Sequence, residues 1–131
     1  MQFLHPKGWA PAKGFANGVA ATGRQIFVAG QVGWNAQQRF ESDDFVAQVE
    51  QALANIVAVL AEADARPEHL VRLTWYITDK REYLARLAEV GGVYRRTIGR
   101  HFPAMSLVQV AALLEDRAKV EIEATAVVPP A

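Results

Sequence analysis

Two helical stripes of apolar residues, lying among segments with strand-like patterns, restrict this chain to a mixed α and β fold. From Phe45 to Leu60, apolar side chains recur at steps of three and four residues, which predicts a helix with one buried face. Ser42-Asp43-Asp44 supplies a capping side chain and negative charge where this helix begins, and the stripe stops near Arg66-Pro67. The next segment, Leu70–Ile77, alternates apolar and polar residues, which predicts a strand.

A second stripe runs from Tyr83 to Ile98, after a capping pattern formed by Asp79 and Glu82. The pair Gly91-Gly92 interrupts this stripe, and each glycine weakens a helix interior by about 1 kcal/mol. The pair therefore predicts a kink, a close approach of another backbone, or a poorly formed helix. Two more strands are expected after this helix, at Met105–Ala111 and Lys119–Val128.

Short, glycine-punctuated segments precede the first helix and are typical of strands. Phe15–Ala21 and Gln25–Ala29 flank Thr22-Gly23-Arg24, a turn in which glycine accepts a positive φ, so we expect a hairpin. The element order is then ββαβαββ. This order indicates an α+β fold in a single domain over residues 1–131, with both helices on one face of one sheet.

The other face of that sheet would carry too many apolar and aromatic residues to remain in water. Tyr76, Val127, and either Leu107 or Val108 would be exposed in a monomer. An open sheet with an amphipathic outer face is most simply completed by another copy of itself. The pattern therefore predicts an oligomer, and a stable monomer in the ultracentrifuge would contradict it.

Composition excludes several classes of function. The chain has 14 basic and 14 acidic residues and no cysteine. The positive footprint of nucleic-acid binding is therefore missing, and disulfides, thiolate catalysis and cysteine-bound metals are excluded. No signal-peptide stretch is present at the start, and the longest apolar run, Ile56–Ala61, is far shorter than a membrane span. We expect a soluble cytoplasmic protein that does not bind membranes, and the charge balance disfavours nucleic acid as its partner.

Four motifs, in order and spread over nearly the whole chain, resemble those of one family. Phe27–Val32 is similar to a family strand that ends in Ser/Ala-Gly-Gln, and Gln48–Ile56 is similar to its Gln-x-x-x-Ala-Leu-x-Asn-Ile/Val helix. Phe102–Ser106 lies where the family has Phe-Pro-Ala-Arg-Ser, and Lys119–Ala124 resembles its closing Ile-Glu-Ile-Glu-Ala strand. By these motifs the chain resembles the Rid family of YjgF/RidA-type imine and enamine deaminases.

This resemblance implies a chorismate-mutase-like fold assembled as a homotrimer, with three clefts between adjacent subunits. It also implies hydrolysis of reactive enamines and imines of small metabolites, such as 2-aminoacrylate, to a keto acid and ammonia. Some relatives carry the label of L-PSP-type endoribonuclease or translation inhibitor. A fold alone does not choose among these functions.

The resemblance also assigns candidate site residues. Gly30 matches the glycine whose backbone borders the cleft, and Glu121 matches the glutamate that helps to position or activate water. Phe15 lies near a family tyrosine and keeps its ring without the hydroxyl, while Ser106 is retained. The arginine that holds substrate carboxylates is replaced by Met105.

The methionine bears most directly on function. An arginine fork binds a carboxylate with two charge-assisted hydrogen bonds that a thioether cannot make. Its loss should weaken binding of an anionic 2-imino acid by about 2–4 kcal/mol. Either the substrate differs or is gripped elsewhere, or the pocket binds without catalysis. Met105 itself is either a core side chain or an apolar cleft wall, and Leu107 stands where the deaminases often have cysteine.

Other residues are candidates for replacing the missing arginine or for forming an aromatic rim of the pocket. Arg72 is the first candidate cation, because it lies on the strand face opposite the helices where a neighbouring subunit would meet it. The other candidates are Arg95, Arg96 and Arg100. Trp34, in the loop after Gly30-Gln31, would line a pocket rim or pack at an interface, whereas Trp75 alternates with core residues.

No metal or cofactor is expected. His5, His69 and His101 lack metal-ligand spacing, and no phosphate-binding or dinucleotide motif is present.

Three functional hypotheses follow. In the first, the protein is a Rid-like hydrolase in which Glu121 handles water, since a protonated C=N carbon needs only a positioned water and one carboxylate. In the second, a trimer captures a small, partly apolar ligand without turnover, and Glu121 is a solvated or salt-bridged strand residue. In the third, which the neutral charge disfavours, the protein cleaves RNA or inhibits translation.

Overall fold

The structure is a computed structural model that describes all residues from 1 to 131. Six strands and three α-helices follow one another along the chain, with a 3-10 turn at Pro67–His69. Their bounds are β1 Gln2–Leu4, β2 Gly18–Ala20, β3 Arg24–Val32, α1 Phe45–Glu62, β4 Leu70–Ile77, α2 Lys80–Ala85, α3 Leu87–Thr97, β5 Ala104–Gln109 and β6 Val120–Val128.

The main sheet has four strands in the order β3, β6, β4, β5. Only β4 and β5 are parallel neighbours, and the crossover that a parallel pair requires is provided by α2 and α3. Helix α1 packs against α3, β3 and β6, so the helices cover one face of the sheet. The predicted α+β class is therefore confirmed. We call the face away from the helices the open face.

One hydrophobic core fills the space between the helices and the sheet. Buried residues of α1 and β6 recur at the spacings predicted from the sequence, and they are Val49, Leu53, Ile56, Leu60, Val120, Ile122, Ala124 and Ala126. By length and apolar composition alone, α1 meets the criteria for a membrane-crossing helix. Its apolar stripe, however, is packed into this core.

The N-terminal hairpin predicted from the sequence is wrong. Strand β2 pairs antiparallel with β1, where Phe3 lies opposite Val19, and β3 pairs with β6 instead. β3 has nine residues and gains far more ladder hydrogen bonds and buried surface from β6 than a three-residue strand offers. At the turn, Gly23 has a φ of 149°, and a Cβ there would lie 2.0 Å from the carbonyl oxygen of Val128.

The second helical stripe is two helices rather than one. Arg86, between α2 and α3, leaves the helical conformation with φ −124° and ψ 28°. Its guanidinium contacts the carboxylates of Asp44 at 2.6 Å and Glu89 at 2.7 Å. Gly91-Gly92 lies inside α3. The interruption therefore occurs at Arg86, and α3 is continuous through the glycine pair.

The predicted faces of two strands need correction. In β4, the alternation predicts Val71 on the same face as Leu73, Trp75 and Ile77. The register shifts between Leu70 and Arg72, so Leu70 is fully buried instead and Val71 lies in a bulge. In β6, Val127 was expected on the exposed face but is only 8% exposed. In β5, Val108 is the exposed residue of the predicted pair, at 44%.

Candidate functional site

A cavity of about 550 Å³ opens beside the edge strand β5, under helices α2 and α3. This volume is in the range of small-molecule pockets. Its wall is mostly apolar and aromatic, and those residues are Phe15, Trp75, Tyr83, Leu87, Val90, Tyr94, Phe102, Met105 and Leu107; Gly14, Gly91, Lys13 and Arg95 complete the lining. We call it the Met105 cavity.

The alternation of β5 directs two residues to this cavity. In the parallel ladder, Met105 pairs with Leu73 and Leu107 pairs with Trp75, and residues two apart share a face. Both side chains are half-buried and pack against the core. Met105 is therefore a core side chain and a cavity wall at once, which joins the two interpretations that the sequence left open.

The N-terminal segment brings Phe15 to the same cavity. Ala16 forms a parallel bridge with Ala104, and its N–H donates to the carbonyl oxygen of Pro103 at 3.0 Å. Gly14 has a φ of 76°, which favours glycine. The structure thus brings together two of the predicted site residues, Phe15 and Met105.

The buried polar groups of the cavity wall differ in whether they have a hydrogen-bond partner within the chain. Trp75 is 4% exposed, and its buried Nε1–H has no acceptor in the chain, an arrangement that destabilises by about 1–3 kcal/mol. Tyr94 donates to the carbonyl oxygen of His101 at 2.5 Å and stacks on Phe102, with ring centroids 5.3 Å apart. Burial raises the pKa of Tyr94 and of Tyr83, so both phenols stay neutral at physiological pH.

Glu121 and Gly30 form a second group, on the open face. The β3–β6 ladder shifts register between Val28 and Gln31, which places a bulge beside Glu121. The carboxylate lies over Gly30 so closely that a Cβ on residue 30 would be 2.0 Å from its Oε2 atom. Glycine at this position therefore makes room for the carboxylate. Glu121 forms no ion pair within the chain.

One copy of the chain does not bring the two groups together. The Met105 cavity opens on the helix side of β5, whereas Glu121 pairs with Tyr76 on the open face. Neither Glu121 nor Gly30 lines the cavity.

Three other predicted site residues also lie away from the cavity. Arg72 is exposed on the open face, in a shallow groove with Thr74 and Glu123. Ser106 is exposed and pairs with Thr74 on that same face. Trp34 packs against Phe40 in the loop after β3, with ring centroids 5.8 Å apart. Of the four candidate arginines, Arg95 is the one that lines the Met105 cavity.

Two polar residues of the α1 motif form hydrogen bonds with the segments next to the Glu121–Gly30 pair. Asn55 donates to the carbonyl oxygens of Val32 at 3.2 Å and Trp34 at 2.8 Å, which ties down the loop after β3. Gln48 is 1% exposed, donates to the carbonyl oxygen of Arg117 and accepts from the N–H of Lys119. Gln48 and Asn55 therefore hold the ends of β3 and β6, the strands that carry Gly30 and Glu121.

Sequence reasoning missed Trp75 and Leu107 as cavity residues. For Leu107 the signal was the alternation of β5, because a residue two positions from Met105 shares its face. Trp75 lies on β4 as the ladder partner of Leu107, a pairing that the sequence pattern does not give. The role of Arg95 had no sequence signal of its own, since the pattern does not say which turn of α3 lies over the edge of β5.

No group of three or more histidine, aspartate or glutamate side chains is arranged to hold a metal ion.

The chain is similar to known proteins over most of its length. The family model for endoribonuclease L-PSP matches residues 7–128. Protein DfrA of Myxococcus xanthus is 39% identical over 80% of this chain and 77% of its own. The 2-iminobutanoate/2-iminopropanoate deaminase of Escherichia coli K12 is 33% identical over 80% of each chain. The crystal structure of the Rid family protein YyfB from Yersinia pestis superposes with a TM-score of 0.86, at 34% identity over 97% of this chain and 98% of that one.

A mixed sheet with helices on one face and an aromatic cavity beside its edge strand defines a small α+β protein. The match spans nearly the whole chain, and the chain belongs to the Rid/YjgF/L-PSP family. Some relatives in this family are 2-iminobutanoate/2-iminopropanoate deaminases, and members bind small ligands and form oligomers.

Proposed function

We propose that this protein is a Rid-type hydrolase that converts the C=N bond of a small imine to a ketone and ammonia, in a site shared by two copies of the chain. One copy contributes the Met105 cavity and the next contributes the Glu121–Gly30 pair. The assembly is a homotrimer, and we assign the activity to the cytoplasm. No metal or cofactor takes part.

The separation of the two groups supports a shared site. A carboxylate on the open face meets the cavity of another chain only if that face is an interface. Phe27 lies on the same face with 73% of its surface exposed, and a ring so exposed is typical of an interaction surface. The neighbouring copy supplies a matching surface because identical chains associate by closed symmetry.

The observation that most favours hydrolysis over ligand capture is the placement of the Glu121 carboxylate, which lies over Gly30 beside a bulge and is free of ion pairs. An ion-paired glutamate would be held as a structural group, whereas Glu121 has no ion pair and is held beside a bulge. Bulges occur often next to active sites, where they redirect a side chain.

The chemistry needs one carboxylate and one water. Glu121 accepts a proton from water as the water oxygen bonds to the carbon of a protonated C=N group, which gives a carbinolamine. The Glu121 carboxylic acid then returns that proton to the nitrogen. The C–N bond breaks, the hydroxyl proton leaves to solvent, the C=O bond forms, and ammonia departs. The enclosed site supplies the orientation.

Ammonia release tests this function. Imines would be generated in place by an amino-acid oxidase, and ammonia formation would be followed above the uncatalysed rate. Replacing Glu121 with glutamine should lower the enzymatic rate by about 100-fold or more, the range for loss of a general base. Glu123→Gln is the matched control, because Glu123 lies on the same face but is bonded to Tyr76 at 2.7 Å.

The rival functions give different results. A wild-type rate equal to the uncatalysed rate for every imine would reject the hydrolase and favour ligand capture. Equal rates in wild type and Glu121→Gln would reject the role of Glu121. Cleavage of single-stranded RNA in the absence of imine turnover would favour the nuclease.

A further inference from the structure

The charges of the Met105 cavity are all of one sign. Lys13 and Arg95 are the only ionised residues in its lining, and no acidic residue accompanies them. Neither side chain forms an ion pair within the chain. An apolar cavity with unpaired cations complements a ligand that has an apolar body and an anionic group.

The guanidinium of Arg95 is directed back along α3 towards the cavity wall. A Cβ on Gly91 would lie 3.8 Å from its Nη1 atom, and Gly91 is itself part of the lining. The guanidinium therefore lies against α3 at the edge of the cavity. The next arginine, Arg96, instead contacts Glu50 at 3.3 Å, so it is already neutralised.

The wall formed by β5 and its neighbours is apolar and complements the apolar part of the ligand. On the sheet side, Leu107 and its ladder neighbour Trp75 lie beside Met105, Phe15 also lines the cavity, and none of these four side chains carries a charge. A short 2-imino acid would leave much of this apolar surface in water. Each additional CH₂ group that is buried strengthens binding, so a larger apolar side chain is favoured.

We propose that Arg95 binds the substrate carboxylate from α3, in place of an arginine on β5, and that the preferred substrates are 2-imino acids with an aromatic or long apolar side chain. This inference rests on the proposed function, because it treats the Met105 cavity as the substrate pocket. Arg95 is a binding residue and takes no part in proton transfer.

Equilibrium binding of stable 2-oxo acids tests the inference without turnover. Calorimetric titrations of the intact protein would use phenylpyruvate, pyruvate and the neutral ketone phenylacetone. Wild type should bind phenylpyruvate more tightly than either of the others. Arg95→Gln should weaken phenylpyruvate binding by about tenfold or more and leave phenylacetone unchanged, since only the ion pair is lost. Arg96→Gln is the matched control and should behave as wild type.

Salt provides a second readout. Phenylpyruvate binding should weaken with ionic strength in wild type and much less in Arg95→Gln, because exposed charge pairs are screened. Equal affinities in all three proteins, or tighter binding of pyruvate than of phenylpyruvate, would overturn the inference and leave the ammonia assay to decide the function. Arg95-dependent binding without ammonia release would retain Arg95 as the carboxylate-binding residue of a ligand pocket and reject the hydrolase, and with it the assignment of substrates.

Discussion

At the scale of single residues, Gly30 shows why a glycine can be functional without an unusual backbone. Its φ is not in the positive region, unlike the φ angles of Gly8, Gly14, Gly23 and Gly99, so alanine fits its backbone. Only the space taken by the Glu121 carboxylate excludes a side chain.

Gly30→Ala should therefore remove activity and preserve the fold. The new methyl group would displace the Glu121 carboxylate, and the rate should fall towards that of Glu121→Gln, by about 100-fold. The melting temperature should change little, because a half-exposed side chain can rotate away. Gly92→Ala is the control, because a Cβ there contacts only the tip of Arg96 and should stabilise α3 by about 1 kcal/mol. A fully active Gly30→Ala protein would contradict this account.

Met105→Arg tests whether an arginine on β5 can replace Arg95 on α3 as the group that binds the ligand's carboxylate. In an Arg95→Gln background, the new guanidinium should restore phenylpyruvate binding to within about threefold of wild type, because arginine binds carboxylates bidentately. Met105→Leu in the same background keeps the wall apolar and should restore nothing. Titration calorimetry measures both proteins, and equal affinities would show that position 105 does not face the ligand.

Residue roles were only partly predictable from the sequence. The motif Phe102–Ser106 identified Met105, but the neighbour Ser106 points to the open face because successive strand residues alternate. Arg72 was correctly placed on the face away from the helices, yet the Met105 cavity lies on the other side. Which arginine accompanies Met105 depends on the packing of α3, a long-range contact that local pattern does not encode.

At the scale of elements, the position of a helix was predictable where a capping residue directly precedes an apolar pattern of helical period. Asp44 caps α1 by accepting from the N–H of Ala47 at 3.0 Å, as Ser42-Asp43-Asp44 predicted. The break between α2 and α3 was not predictable, because it depends on Arg86 reaching Asp44 from a distant part of the chain. Strand β1 was missed because three residues are too few to show an alternation.

The cap makes a prediction that depends on pH. Hydrogen bonds from the Arg86 guanidinium and from the Ala47 N–H hold the pKa of Asp44 below its ordinary value of 3.8. Because the folded pKa is depressed, this stabilisation is fully present above that value and is lost as pH falls through the folded pKa. Asp44→Ala should lower the free energy of unfolding by about 1 kcal/mol at pH 7.

Urea unfolding at several pH values measures this effect. The difference in the free energy of unfolding between wild type and Asp44→Ala should shrink as the pH falls below the ordinary aspartate pKa of 3.8. Asp43→Ala is the control, because Asp43 is 71% exposed and pairs only with Arg117; it should change stability by less than about 0.5 kcal/mol. A difference that stays constant down to the lowest accessible pH would show that the carboxylate charge does not matter.

At the scale of the whole molecule, the alternation of the strands correctly predicted that the sheet has an exposed face with apolar residues. It was less successful in predicting which residues are exposed there. Tyr76 and Val108 lie on the open face as expected, but Val127 is buried. The motif that contains Phe27 gave no indication that Phe27 is the most exposed aromatic ring on this face. Faces follow from alternation, whereas exposure depends on what the loops and the N-terminal segment cover.

A shared site predicts that two inactive variants restore each other. Glu121→Gln removes the carboxylate, and Leu107→Trp fills the Met105 cavity, so each homo-oligomer should be inactive. In mixed oligomers, a cavity from the first variant meets Glu121 from the second. After refolding in equal amounts, about a quarter of the sites in a cyclic assembly should be intact, and ammonia release should recover to about a quarter of wild type. Sedimentation velocity and differently tagged chains would confirm mixed trimers. Mixed trimers without recovered activity would show that each chain carries a complete site, and a monomer would remove the shared site altogether.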